Sequence, residues 1–396
     1  MELDQDLTSV FVVALIAAVT PLLVGFFRLR VAEVVLLLAL GALAGPSALD
    51  LIEITDAVTL LQNLGLGFLF FVAGYELDPR LARDREGLLG GLGWLASLVL
   101  AGVTAVVLTA TGVVSDSVGV AIALTSTALG TLLPMLRDRG LTRTPFGRYF
   151  MGAGAAGEFG PILAISIFLG SRSSEGSLIV LALFGVLAVA IAIVPRRMVG
   201  ERLRAILELG RETSSQTPVR WTILLLVGLL ALSDRFGLDV VLGAFVAGAI
   251  LKLWTPAESE GLDRKVEGIA FGFFIPLFFV VSGAALDLAS IAENPLRLLL
   301  FFVLLLVVRG APQLLVYRRD MPLLIERVRF SLYVATGLPI IVAVTGLGVA
   351  AGVMLPENAA ALVGAGALSV LVFPLVADLL PGRGLDPATR PLPARD

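Results

Sequence analysis

The sequence predicts an all-α, polytopic membrane protein of thirteen transmembrane helices, and three observations predict it. Apolar runs of roughly 17 to 25 residues recur along the whole chain of 396 residues, the length a helix needs to cross a bilayer. Only 15% of the residues are charged, against about 25% in soluble domains. Of the 29 Lys and Arg, 25 fall in every second connection or the C-terminal tail; Arg172, Arg235 and Arg297 lie in the others, and Arg309 lies inside a span. That asymmetry is the signature of cytoplasmic loops, and it places the N-terminus outside and the C-terminus in the cytoplasm of a cell inner membrane. Period-2 alternation, which marks a membrane β-barrel, is absent.

In order, the spans are 8–27, 31–47, 57–76, 87–112, 117–136, 147–170, 176–195, 219–234, 238–254, 266–286, 295–317, 328–351 and 358–380. The N-terminus, MELDQDLTSV, is acidic where a signal peptide is basic, so the first run reads as a retained span. Residues 1–195 form a first half with seven spans and residues 219–380 a second half with six. Between them, 196–218 reads as a basic amphipathic helix on the cytoplasmic surface. The tail 381–396 is short and rich in Pro and Gly, and no soluble domain is expected. The halves resemble each other: FFVAGYELD (Phe70 to Asp78) aligns without gaps on FVVSGAALD (Phe279 to Asp287), and LGALAG (Leu40 to Gly45) on AGAILK (Ala247 to Lys252). The offset is seven spans, and an odd offset inverts one copy, which is a common plan of secondary transporters.

Chemistry is confined to few residues. The chain has no Cys and no His, so thiolate sites, redox switches and imidazole chemistry are excluded and proton handling falls to carboxylates. No cofactor site, nucleic-acid feature or catalytic pair is visible, and an enzyme is not expected. Away from span ends, two ionisable residues lie deep in the membrane: Glu158 in span six and Arg309 in span eleven. Glu158 stands roughly 16 Å of helix from Gly147, near the middle of a hydrocarbon core about 30 Å thick. A carboxylate there costs about 2.5 kcal/mol or more unless partnered or wetted. The small residues from Gly152 to Ala156 admit a close neighbour, and Pro161 frees a backbone carbonyl one turn back. Glu158 and Arg309 are expected to meet. Desolvation favours the protonated acid and a nearby Arg the ionised one, a balance in which proton and cation compete for Glu158. A purely structural ion pair is the alternative.

Spans five and twelve form the second constellation. Span five holds Thr125, Ser126, Thr127, Gly130, Thr131 and Pro134, and span twelve holds Thr336, Gly337, Pro339, Thr345, Gly346 and Gly348. Interrupted helices at corresponding places in two halves point to a midplane ion site, where unwound carbonyls and hydroxyls coordinate. The alternative is that Ser and Thr bond back to their own helices while Gly and Pro make kinks. Glu76, Asp78 and Asp287 at span ends read as solvated caps, and Glu33 as interfacial.

GFLFFVAGYELDPR, ALTSTALGTLLPMLRDRG, LGAFVAGAIL and PLFFVVSGAALDL resemble the signature stretches of the monovalent cation:proton antiporter superfamily, in its Kef-type and bacterial sodium/proton exchanger branch. The resemblance covers nearly the whole chain. It implies a sodium/proton antiporter-like fold with inverted repeats, in which spans five and twelve are two crossing discontinuous helices and span six bears the ion-binding carboxylate. It also implies a homodimer whose spans four to six and eleven to thirteen move as one body, elevator fashion, exchanging Na⁺ or K⁺ for protons. The family usually has two adjacent polar or acidic residues at the site; here the run is Ala156-Gly157-Glu158-Phe159-Gly160, with a single carboxylate. One exchangeable acid beside Arg309 implies electroneutral exchange. Kef-type proteins often add a cytoplasmic nucleotide-binding domain. This sequence stops before one, so regulation by dinucleotide or glutathione is not expected. A proton-coupled anion or organic-acid transporter using Arg309 to bind substrate is the other reading.

Overall fold

The computed structural model describes residues 2–26, 32–76, 84–114, 117–138, 140–168, 174–198, 216–255 and 260–380, and all regular structure among them is helical. The helices are α1 (Glu2–Phe26), α2 (Glu33–Ala44), α3 (Asp56–Glu76), α4 (Arg85–Ala110), α5 (Ser117–Leu124), α6 (Leu129–Asp138), α7 (Pro145–Phe168), α8 (Ser174–Met198) and α9 (Thr217–Arg235). There follow α10 (Val240–Trp254), α11 (Glu260–Ile269), α12 (Ile275–Ala284), α13 (Leu288–Glu293), α14 (Pro295–Leu305), α15 (Ala311–Val316), α16 (Leu324–Val334), α17 (Pro339–Ala350) and α18 (Pro356–Leu379). Much of the expected linker helix (199–215), the tail 381–396 and Asp78 lie outside the described residues. Asp287 caps α13, accepting from Ser290 N at 3.0 Å, and the Ser290 hydroxyl and amide hold its carboxyl below the usual range.

Among the described residues, eight helices are long and apolar enough to cross a bilayer, or nine when α16 and α17, bent by 41° at their break, count as one. Four shorter apolar helical stretches, Glu33–Ala44, Ser117–Leu132 (across the break between α5 and α6), Leu181–Ile193 (within α8) and Val240–Trp254, stand at other predicted spans. Two π-helical turns, Ala270–Phe274 between α11 and α12 and Leu306–Gly310 between α14 and α15, each end two residues before a proline, Pro276 and Pro312. A proline supplies no N–H to the α-helical ladder, which locally favours a wider turn.

The chain forms two compact units. One comprises Met1–Leu22, Leu37–Leu77 and Ser166–Ala284, the other Leu23–Leu36, Asp78–Ile165 and Ala285–Asp396, so each sequence half contributes to both. In the first, α3 packs on α10, and the end of α2 packs on α12, through glycine–backbone contacts. An added Cβ at Gly74 would overlap Phe245 O, and one at Gly248 would overlap Phe71 O. Likewise, a Cβ at Gly283 would overlap Leu38 O, and one at Gly41 would overlap Val280 O. Under the alignment of Phe70 on Phe279 and of Leu40 on Ala247, these four contacts form two equivalent pairs. A fifth position keeps the correspondence with altered chemistry. Gly45 lies against Ala284 backbone, and at the equivalent place Lys252 Nζ stands 4.8 Å from the centre of the Tyr75 ring. Gly248→Ala forces a methyl into a carbonyl oxygen and is expected to cost about 1–3 kcal/mol, measurable as a lowered melting temperature in detergent. An unchanged midpoint would refute this packing.

In the second unit, α4 shows why its sequence is small on one side. Gly90, Gly93, Ser97 and Ala101 recur at three- and four-residue spacing and are buried, while Val99, Val103 and Val106 are more than half exposed, as lipid-facing residues are.

Candidate ion-binding site

The site lies wholly in the second unit, where the helical course is interrupted twice: at 125–128, between α5 and α6, and at 335–338, between α16 and α17. The first break ends α5 in a tightened turn. Thr125 and Ser126 send both amide and hydroxyl to Ile122 O and Ala123 O, at 2.8 to 3.2 Å. Thr127 and Ala128 then point their amides away from their own helix. Thr127 N donates to Gly157 O at 3.0 Å. That carbonyl is the one left without a ladder donor by Pro161, four residues on, so the proline in α7 creates the acceptor that holds the break. Ala128 N donates to Thr336 O at 2.7 Å, which ties the first break to the second.

The second break is built similarly. Thr336 Oγ1 donates back to Leu332 O at 3.0 Å, Gly337 N donates to Ser369 Oγ at 3.2 Å, and Pro339 starts α17 at a position needing no N–H. A Cβ on Gly337 would stand 2.7 Å from Ser126 Oγ, so glycine permits the two breaks to touch.

Glu158, 6% exposed, reaches the N-terminus of the half-helix α6, where its Oε1 accepts from Gly130 N at 3.1 Å. It replaces the capping side chain that Ala128 lacks, and the positive end of the α6 dipole favours a negative charge or a bound anion-equivalent there. Arg309, fully buried, projects from the Leu306–Gly310 π turn. Its Nε donates to Thr127 Oγ1 at 2.9 Å, its Nη2 to Ala153 O at 2.8 Å and its Nη1 to Ser97 Oγ at 3.4 Å. These acceptors are neutral oxygens, so the direct carboxylate contact expected for Arg309 is not what positions it. Instead the two charges flank one backbone junction. Thr127 Oγ1 also donates to Val334 O at 2.7 Å, joining Arg309 to the second break. Gly157 permits this close approach: an added Cβ would overlap Thr127 Oγ1 and stand 2.7 Å from Arg309 Nη2.

All the predicted site residues, Thr125, Ser126, Thr127, Glu158, Arg309, Thr336, Gly337 and Pro339, therefore gather around the paired breaks, and each is buried. Thr125, Ser126 and Thr336 spend their hydroxyl protons on their own helices, leaving oxygen lone pairs as possible ligands. Ser97, Gln313 and Ser369 were not singled out by the sequence. Gln313 follows Arg309 by four residues, the spacing of one helix face, which is the signal that could have found it. No group of three or more Asp, Glu, His or Cys exists among the described residues, so a cation here would rest on one carboxylate and neutral oxygens.

A sequence model of the transmembrane sodium/hydrogen exchanger family matches residues 13–379. The chain belongs to that family. Among curated relatives of this chain, the glutathione-regulated potassium-efflux system protein KefC of Salmonella heidelberg (strain SL476) is 30% identical over 373 residues, covering 89% of this chain and 57% of KefC. KefC of Salmonella paratyphi B (strain ATCC BAA-1250 / SPB7) is 31% identical over 373 residues with the same coverage. The chain thus spans 57% of the length of these relatives. The structure of the sodium proton antiporter MjNhaP1 from Methanocaldococcus jannaschii superposes with a TM-score of 0.62 at 17% identity, over 96% of this chain and 99% of that one, a likeness of fold.

Proposed function

We propose that this chain is a secondary antiporter that exchanges a monovalent cation, Na⁺ or K⁺, for protons, with Glu158 as the carrier that holds one or the other. One observation carries the reading: the buried carboxylate of Glu158 meets the N-terminus of a half-helix where two interrupted helices touch. An acid so placed has oxygen-rich, unwound backbone around it and no fixed metal cluster to compete with exchange. Family membership supports the same chemistry, and the relatives named for sodium/proton antiport and potassium efflux leave both cations open.

One exchangeable acid beside a permanently charged Arg309 makes the exchange electroneutral. The second unit contains spans four and five, span six as far as Ile165, and spans eleven to thirteen, the segments proposed to travel as one body in an elevator cycle. The paired glycine contacts of the first unit support inverted repeats, and thirteen crossings follow if the four shorter apolar helices also span. The protein then sits in the inner membrane as a homodimer, N-terminus outside. Against the anion or organic-acid reading stands Arg309 itself, fully buried with donors committed to Thr127, Ser97 and Ala153.

The test is a pH-gradient assay in proteoliposomes with Na⁺, K⁺ and Li⁺ exchanged one for another. Antiport gives proton movement that depends on which cation is present and is insensitive to membrane potential. Proton movement that follows the anion instead would establish the other reading.

A further inference from the structure

α4 runs alongside the helix of Arg309 in the opposite direction, and their polar residues face each other level by level. Ser97 meets Arg309 at 3.4 Å, Gly93 O accepts from Gln313 Nε2 at 3.5 Å, and Arg85 Nε donates to Asp320 Oδ1 at 2.7 Å. Arg309, Gln313 and Tyr317 are spaced by four residues and all three are fully buried, so the seam follows one face for about 12 Å. Beyond Tyr317, the Tyr149 ring lies edge-on at 5.6 Å, and Tyr149 donates its hydroxyl to Asp320 Oδ1 at 2.8 Å. Arg85 and Tyr149 together hold the Asp320 carboxyl below its ordinary range.

Along this seam, buried polar atoms lack protein partners. They are Gln313 Oε1 and Tyr317 Oη on the Arg309 helix; two further such atoms lie on neighbouring surfaces, Trp94 Nε1 in an indole packed against Gly160 of α7 and Ser331 Oγ on α16. Gln313 Oε1 and Tyr317 Oη, one turn apart on one fully buried helix face, are not explained by packing, because burial without a partner is unfavourable for each. Ordered water satisfies such groups where the site is polar and two or more partners converge. Gly93 lets the Gln313 amide lie directly against α4, since a Cβ there would stand 2.5 Å from Gln313 Oε1.

We propose that the α4–Arg309 helix seam binds a file of ordered waters that conducts protons between the cytoplasmic Arg85–Asp320–Tyr149 cluster and the buried end at Arg309. The direction of the path rests on the orientation and exchange proposed above. Gln313 Oε1 accepts from a water, and Tyr317 Oη both donates and accepts. A proton entering at one end displaces one at the other: each oxygen gains one O–H bond and loses one, with no other bond changed. The seam supplies too few oxygens to strip and ligate an alkali cation, so it is selective for protons.

Pulsed hydroxyl-radical footprinting of the full chain in nanodiscs tests for the water directly. Tyr317 and Tyr333 are both fully buried, but Tyr333 has its hydroxyl bonded to Asp378 Oδ1 at 2.7 Å. Radicals born from bound water should oxidise Tyr317 at least about three times faster than Tyr333; equal rates overturn the proposal. Tyr317→Phe gives a second, sign-based readout. A dry, orphaned hydroxyl is a burden, so its removal would raise the melting temperature and refute the water file, whereas a hydrated hydroxyl predicts a lowered one. In exchange assays the same variant should lower the maximal rate several-fold, enlarge the solvent isotope effect and leave the half-saturating cation concentration unchanged. A shift in that concentration with the rate intact overturns proton conduction. If the chain exchanged no cation at all, the footprinting and melting results would still decide the water.

Discussion

Glu158→Gln abolishes cation-dependent proton movement, with a loss of at least about 100-fold, equivalent to about 2.7 kcal/mol, while the protein still folds. The glutamine keeps the shape of the side chain and an oxygen able to accept from Gly130 N, which in the native protein lies 3.1 Å from Glu158 Oε1. What it loses is the exchangeable proton and the negative charge that a cation requires. Loss of charge at the α6 N-terminus removes a favourable dipole interaction of about 0.3–1 kcal/mol, offset by easier burial of a neutral group. The melting temperature should therefore move little. Proteoliposome flux and calorimetry on the same preparation check both halves of the statement. Retained exchange would place the carrier elsewhere.

The second large effect is structural. Arg309→Gln should destabilise the chain by about 3–5 kcal/mol, because the guanidinium bridges α4, α7 and the first break through Ser97 Oγ, Ala153 O and Thr127 Oγ1. Without it, those acceptors lose the donor that joins them, and Glu158 loses the compensating charge of its surroundings. Arg309→Lys separates the two roles. An ammonium restores the charge but cannot serve three divergent acceptors with the geometry of a planar fork. The lysine variant should fold, melt lower than the native protein and exchange more slowly. Thermal unfolding with a cysteine-free fluorescence readout suits a chain without Cys, and a glutamine variant that melts like the native protein would disprove the bridging role.

Particular residues show how far the sequence could be read. Glu158 and Arg309 stood out because an ionisable group in hydrocarbon carries a cost that needs a reason. The two interruptions were visible as Thr, Gly and Pro crowded into otherwise apolar spans, and Pro161 announced a free carbonyl. Neither the recipient of that carbonyl nor the partners of Arg309 could be read. Thr127 N takes Gly157 O across 30 residues of chain, and Arg309 takes Thr127 across 182. A pattern of single residues carries no record of such distant meetings. For the same reason the direct Glu158–Arg309 contact was the economical expectation, whereas the observed contacts of Arg309 go to three neutral oxygens.

By itself the sequence determined that the chain is a helical membrane protein, where its apolar segments lie, and that proton chemistry must use a carboxylate. These follow from composition and periodicity, because the bilayer penalises every exposed polar group alike. Tertiary structure alone decided which orphaned backbone groups meet at the two breaks, that Gly157 makes room for a guanidinium, and that Glu158 caps a half-helix. Those outcomes depend on which surfaces come within about 3 Å of each other, a matter of packing among distant segments that local propensity does not encode.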